Sequence, residues 1–170
     1  ANKFLIISTI IFFYFVPFFI EIYKSNQVKI ISKKFLIILF FLILIYLFSL
    51  NNFDYHLEIA GGGIFLHISE YLFNSNILFF VIAFLSILII GFILSINFNI
   101  NFFILMILFS LAPQTHIFHK YFDPLLIICI SLLFKFHIFK IFSSKNLIIL
   151  YSYFFGFYII NVVNSLIVKF

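Results

Sequence analysis

Long apolar runs alternate with short polar breaks along the whole chain. The runs are Phe4–Ile22, Phe35–Leu50, Ile77–Ile96, Phe102–Ala112, Leu125–Phe139 and Leu147–Val168. An α-helix rises about 1.5 Å per residue, so roughly 20 apolar residues cross a hydrocarbon core of about 30 Å. The pattern predicts an all-α fold, a polytopic transmembrane helix bundle of about six spans. Pro17 near the end of the first run predicts a kink there. In the break that follows the second run, Ile64, Phe65, Ile68, Leu72 and Phe73 recur at nearly helical spacing, with His67 and Glu70 on the other side. That arrangement predicts a short amphipathic helix lying along a membrane surface. Gly61, Gly62 and Gly63 just before it predict a flexible turn into that helix. The fourth run is short, and the fifth already contains Lys135 and His137. Together they flank a loop bracketed by Pro113 and Pro124. This segment reads either as two spans with a loop that dips into the membrane, or as a re-entrant pair. The two-span reading keeps the charge pattern consistent and is preferred.

Composition narrows the class. Hydrophobic residues make up 66% of the chain, charged residues 9%, and the mean hydropathy is +1.32. A soluble domain is typically about half apolar and a quarter charged, which argues against a water-soluble fold. All the basic residues are lysines scattered at the edges of apolar runs, so the net charge of +5 forms no basic stripe for a nucleic acid. With 31 Phe and no Trp, the interfacial aromatic belt falls to Tyr14, Tyr23, Tyr46, Tyr151 and Tyr158. The Phe, Ile, Asn, Lys and Tyr bias is that of an AT-rich genome. The single Cys129 lies inside an apolar run and reads as a small hydrophobe. No motif for a metal or a soluble cofactor is present. The first residue is Ala1 and the sole Met is Met106, which suggests one transmembrane domain, 1–170, from the C-terminal part of a longer membrane protein.

Charge is sorted between the breaks. Seven of the ten lysines, namely Lys24, Lys29, Lys33, Lys34, Lys135, Lys140 and Lys145, lie in two of them. Four of the five carboxylates and four of the five histidines lie in two others, around 51–76 and 113–124. Lysine-rich loops stay in the cytosol. The expected topology therefore places 24–34, 97–101 and 135–145 inside, and 51–76, 113–124 and both termini outside. The expected location is an integral membrane protein of the bacterial inner membrane, with membrane lipids as its immediate partners.

The chemistry available is concentrated in the two outside loops. Gln114, His116, His119, Lys120, Tyr121 and Asp123 form the denser set. Lys120 is a compact cation suited to a phosphate. His116 and His119 can bind an anion or carry a proton. Gln114 and Tyr121 can hydrogen-bond a sugar or head group, and Asp123 can pair with Lys120 or act as a base. Pro124 suits the first position of the next helix. The bland alternative is mutual neutralisation of Lys120 and Asp123 at an interface, with the histidines reaching to water. In the other loop, Asp54, His56 and Glu58 alternate, but no metal-specific motif surrounds them, and a carboxylate from Asp54 or Glu58 lent to a cavity is the better reading. The glycine run lacks the Lys-Ser/Thr of a phosphate loop. His67 and Glu70, three apart, can pair across one helical turn.

Gln114 followed by His119-Lys120-Tyr121-Phe122-Asp123-Pro124 and a hydrophobic helix resembles the late outside loop of integral membrane glycosyltransferases that use polyprenyl-phosphate-linked sugars, the GT-C class. The resemblance covers about a dozen residues. It implies that Gln114, His116, His119, Lys120, Tyr121 and Asp123 help to bind a polyprenyl-phosphate-linked sugar. The catalytic carboxylate of that class belongs to the first outside loop of the whole enzyme, and no residue here matches it. Two other readings remain open: a transporter or flippase of lipid-linked sugars, suggested by the broken pair around 113–124, and a non-catalytic membrane scaffold subunit.

Overall fold

The computed structural model describes residues 2–24, 32–55, 61–110, 117, 122–134 and 144–167. Among these residues the protein is all-α. Its helices are α1 (Asn2–Lys24), α2 (Lys33–Asn51), α3 (Ile64–Phe73), α4 (Ile77–Ile96), α5 (Phe98–Ser110), α6 (Asp123–Ile128) with a π-helical continuation Cys129–Leu133, and α7 (Ser144–Ile167). The chain divides into two compact units. The first comprises Ala1–Phe15 and Val28–Phe136; the second comprises Val16–Gln27 and His137–Phe170.

At the centre of the first unit lies the start of α1, where Leu5 to Ile11 are all buried. A helix that is apolar on every side suits a position enclosed by neighbours. Phe4 stacks on Phe109 of α5, Phe12 and Phe13 meet Phe65 of α3 edge-on, and Phe15 meets Phe134. Ser8 and Thr9 donate back to the carbonyls of Phe4 and Ile6, so their hydroxyls are satisfied without any partner outside the helix.

In α2 the distribution of side chains is inverted relative to a soluble helix. Ile38, Leu42, Tyr46 and Ser49 form the buried stripe, which packs on α4. Tyr46 and Ser49 are 8% and 2% exposed, whereas Phe40, Phe41 and Phe48 are 60%, 60% and 68% exposed. In α4, Ala83, Ser86 and Gly91 are buried among Phe79, Ile87, Ile90 and Ile93, while Val81, Phe84 and Leu85 are exposed. In α5, Asn101 is buried with Ile104, Leu105 and Leu108, while Phe102, Phe103 and Met106 are exposed. A Cβ on Gly91 would stand 3.5 Å from both Leu42 and Phe35, which places this glycine at the α2–α4 contact. The Tyr46 hydroxyl donates to the Phe80 carbonyl at 3.1 Å and fixes the same pair.

Local chemistry sets the ends. Ser32 caps α2 by accepting from the Phe35 amide at 3.1 Å. Asn74, left-handed at φ 46°, ends α3 by donating its N–H to the Glu70 carbonyl. Asn76 precedes α4 but makes no side-chain cap. The cap comes from another helix: the buried Ser69 hydroxyl accepts from the Phe79 amide at 3.1 Å and donates to the Ser75 carbonyl at 2.6 Å.

Several boundaries differ from the pattern-based expectation. The turn expected over 97–101 shrinks to Asn97 alone, because asparagines serve the corner from inside the helix. Asn97 Oδ1 accepts from the Ile100 amide, and Asn101 Nδ2 donates to the Ile93 carbonyl at 2.7 Å. The continuous run expected over 125–139 is interrupted. After Ile128 the helix widens, the Phe134 amide donates to the Cys129 carbonyl at 2.9 Å, and Phe134 turns to extended backbone. On the exposed side of α3 stand Ile68, Leu72 and Phe73 together with His67 and Glu70, while Leu66 and Ser69 are its buried positions. Two of the helices, Lys33–Asn51 and Ile77–Ile96, are long and apolar enough to cross a bilayer. In the second unit, α7 exposes Ile148, Tyr151, Phe155 and Tyr158.

The borrowed cap gives a test of this packing. Ser69→Ala leaves the Phe79 amide buried without its acceptor and is expected to cost about 1–2 kcal/mol. Ser110→Ala, at an exposed site whose hydroxyl returns to the Met106 carbonyl, is expected to stay within about 0.5 kcal/mol. Denaturant unfolding of the solubilised chain separates the two.

Candidate site at the loop junction

Two polar segments far apart in sequence meet at one end of the first unit. The first leaves the end of α2. Asp54 exchanges two hydrogen bonds with Asn2 at the start of α1: its amide donates to Asn2 Oδ1 at 3.0 Å, and its carbonyl accepts from Asn2 Nδ2. The segment then reaches the glycine run. Gly61, Gly62 and Gly63 have φ of 95°, 89° and 78°, a conformation that side chains with a Cβ rarely adopt. A Cβ on Gly63 would lie 3.6 Å from both Ile6 and Ile10. The glycine turn therefore rests one to two helical turns along α1 from Asn2, about 6–12 Å.

The second segment arrives there through Ile117. Its side chain is buried, and its carbonyl accepts from the Gly62 amide at 2.9 Å. The Tyr55 hydroxyl and the Ile117 carbonyl crowd Gly61 so closely that a Cβ would stand 2.7 Å from one and 2.9 Å from the other. His67, one turn into α3, closes the group: its Nε2 lies 2.7 Å from the Gly61 carbonyl. A carbonyl only accepts, so Nε2 is the donor in this bond. The pairing open to His67 and Glu70 is replaced by this bond. The glycine run is thus a pinned junction rather than a flexible hinge.

At the opposite end of the same unit, Lys34 Nζ sits 5.9 Å over the Phe98 ring. The start of α2 and the α4–α5 corner therefore lie together, away from the glycine junction.

Of the candidates named from sequence, Asp54 is described, exposed at the start of α1. Asp123 begins α6, with Pro124 in its first turn. Gln114, His116, His119, Lys120, Tyr121 and Glu58 lie outside the described residues, as does His56. Among the described residues no group of three His, Cys, Asp or Glu side chains is placed to hold a metal ion. Tyr55, Asn2 and Ile117 were not singled out in the sequence. The one local signal was the triple glycine, and it points to a close backbone approach without saying to what. Chemically, the junction offers a phenol, an imidazole and backbone carbonyls beside an exposed carboxylate. These are groups that hydrogen-bond sugar hydroxyls or a head group.

No protein-family model, curated protein or solved structure matches this chain. The chemistry of the junction is therefore argued from its own residues.

Gly61→Ala forces a Cβ into the contact with Tyr55 and Ile117 at a φ unfavourable to alanine, and is expected to destabilise by about 1–3 kcal/mol. Gly91→Ala places its Cβ at ordinary contact distance inside a helix and is expected to be neutral or mildly stabilising, by up to about 1 kcal/mol. Unfolding midpoints of the two variants, measured side by side, decide whether the junction is as tight as its geometry.

Proposed function

We propose that this chain is an integral membrane protein of about six spans, part of a glycosyltransferase that takes its sugar from a polyprenyl-phosphate carrier on the non-cytoplasmic face. The side-chain distribution of α2, α4 and α5 supports the membrane setting: large apolar side chains cover their exposed faces, and Ser49, Ser86, Gly91 and Asn101 stand among the apolar residues of their packed faces. The observation that carries the functional reading is the Gly62–Ile117 hydrogen bond. It joins the loop that holds Asp54, Tyr55 and His67 to the loop that holds Gln114, His116, His119, Lys120, Tyr121 and Asp123. Lys120 follows Ile117 by three residues in sequence, at most about 11 Å of chain, so a donor phosphate held by Lys120 is proposed to leave its sugar within reach of the junction. The glycine turn lies part-way down α1, which suits a donor whose lipid tail remains in the bilayer.

The interrupted helix Asp123–Leu133 favours a second reading, a transporter or flippase of the same lipid-linked sugars, since discontinuous helices build substrate sites in transporters.

A photoactivatable polyprenyl-phosphate sugar is the direct test. Labelling is expected in the segment 113–124 and to fall at least about tenfold in Lys120→Ala, the loss of a charge-assisted contact of roughly 1.5–3 kcal/mol. Labelling unchanged in Lys120→Ala counts against the donor site. Movement of the intact donor across vesicles without sugar transfer marks the second reading.

A further inference from the structure

We infer that the start of α2 binds an anionic phospholipid, with the phosphate at Lys33 and Lys34 and an acyl chain along the outer ridge of the helix. The inference rests on the membrane reading above and goes beyond it by assigning a lipid class to one place. Lys33, Ile37, Phe40, Leu44 and Phe48 follow one another at spacings of three or four residues and so share one line of α2. All five are exposed, and they lie opposite the stripe Ile38, Leu42, Tyr46 and Ser49 that packs on α4. From Ile37 to Phe48 the ridge runs about 16 Å, close to the depth of one leaflet.

At the head of the ridge the charge is uncompensated in sequence: no carboxylate occurs between Glu21 and Asp54, and Asp54 follows the other end of α2. Lys34 is steadied over the Phe98 ring, beside Lys33 in the first helical turn. Lysines at the head of a membrane helix attract anionic lipid. The pair of lysines complements the phosphate, and the ridge beneath complements the chain, so an anionic phospholipid fits both features at once.

The chain has no tryptophan, which makes Phe40→Trp a single reporter on the ridge. The full chain with this substitution is placed in phosphatidylcholine vesicles containing brominated phosphatidylcholine or brominated phosphatidylglycerol, and quenching gives the relative affinity of the two lipids. Phosphatidylglycerol is expected to be preferred several-fold, up to roughly fivefold per lysine. That preference is expected to collapse toward unity in Lys33→Gln/Lys34→Gln, while quenching by phosphatidylcholine persists. Equal quenching by the two lipids, or a preference that survives the double substitution, overturns the lipid site and leaves the membrane reading standing. Absence of quenching by either lipid overturns the membrane reading itself. Phe103→Trp, on the exposed face of α5, is the control and is expected to show a weaker preference that Lys33→Gln/Lys34→Gln does not change.

Discussion

Away from their ends, the exposed faces of α2, α4 and α5 are as apolar as the packed ones, and the proposed setting of the structure depends on that constraint. The proposed membrane setting suits α2, whose exposed side carries Phe40, Phe41, Leu44 and Phe48 while its packed side adds Tyr46 and Ser49 to Ile38 and Leu42. In a hydrocarbon solvent, apolar burial gives helices no reason to associate, so small side chains and hydrogen bonds take over that role. Gly91 sits at the α2–α4 contact, Tyr46 bonds the Phe80 carbonyl, Asn101 bonds the Ile93 carbonyl, and Ser69 caps α4 from α3.

The same constraint explains the serines and threonines. Ser8, Thr9, Ser86, Ser95 and Ser110 all donate to a carbonyl three or four residues earlier in their own helix. Ser110 does so although it is exposed. A hydroxyl that satisfies itself can face an apolar surrounding without desolvation cost. The glycine junction is the exception that matters for function, because there backbone amide, carbonyl, phenol and imidazole of different segments satisfy one another. Buried polar groups are costly unless they satisfy one another, and a cluster of them beside α1 is where selectivity for a polar ligand can be built.

Much of the fold was legible in the sequence where a single cause dominates. The run Ile77–Ile96 is bounded by asparagines on both sides, and α4 has those bounds. The helical spacing over 64–73 became α3, with glycine before it and asparagine after it. Legibility failed where one residue type can do two things. Asn97, Asn99 and Asn101 looked like a turn by composition, yet two of them act as caps and braces that let α5 begin at Phe98. Hydrophobic periodicity does not separate α from π geometry, so the widening at Cys129 left no mark. At the site, polarity drew attention to the loops around 51–76 and 113–124. The contact that joins them is made by Gly62 and Ile117, a glycine amide and the backbone of an apolar residue, which no side-chain pattern advertises. Ser69 serving Phe79 from ten residues away is invisible for the same reason.

The most direct measurement is a two-sided accessibility map with an impermeant thiol reagent, in a Cys129→Ser background and in sealed membrane vesicles. Single cysteines replace Asn52, Asp54, Lys33, Asn99 and Phe41, all exposed. The account predicts that positions 52 and 54 react from one face, 33 and 99 from the other, and 41 from neither, because lipid covers it. Position 41 reacting as readily as 54, or positions 33 and 54 reacting from the same face, would contradict it.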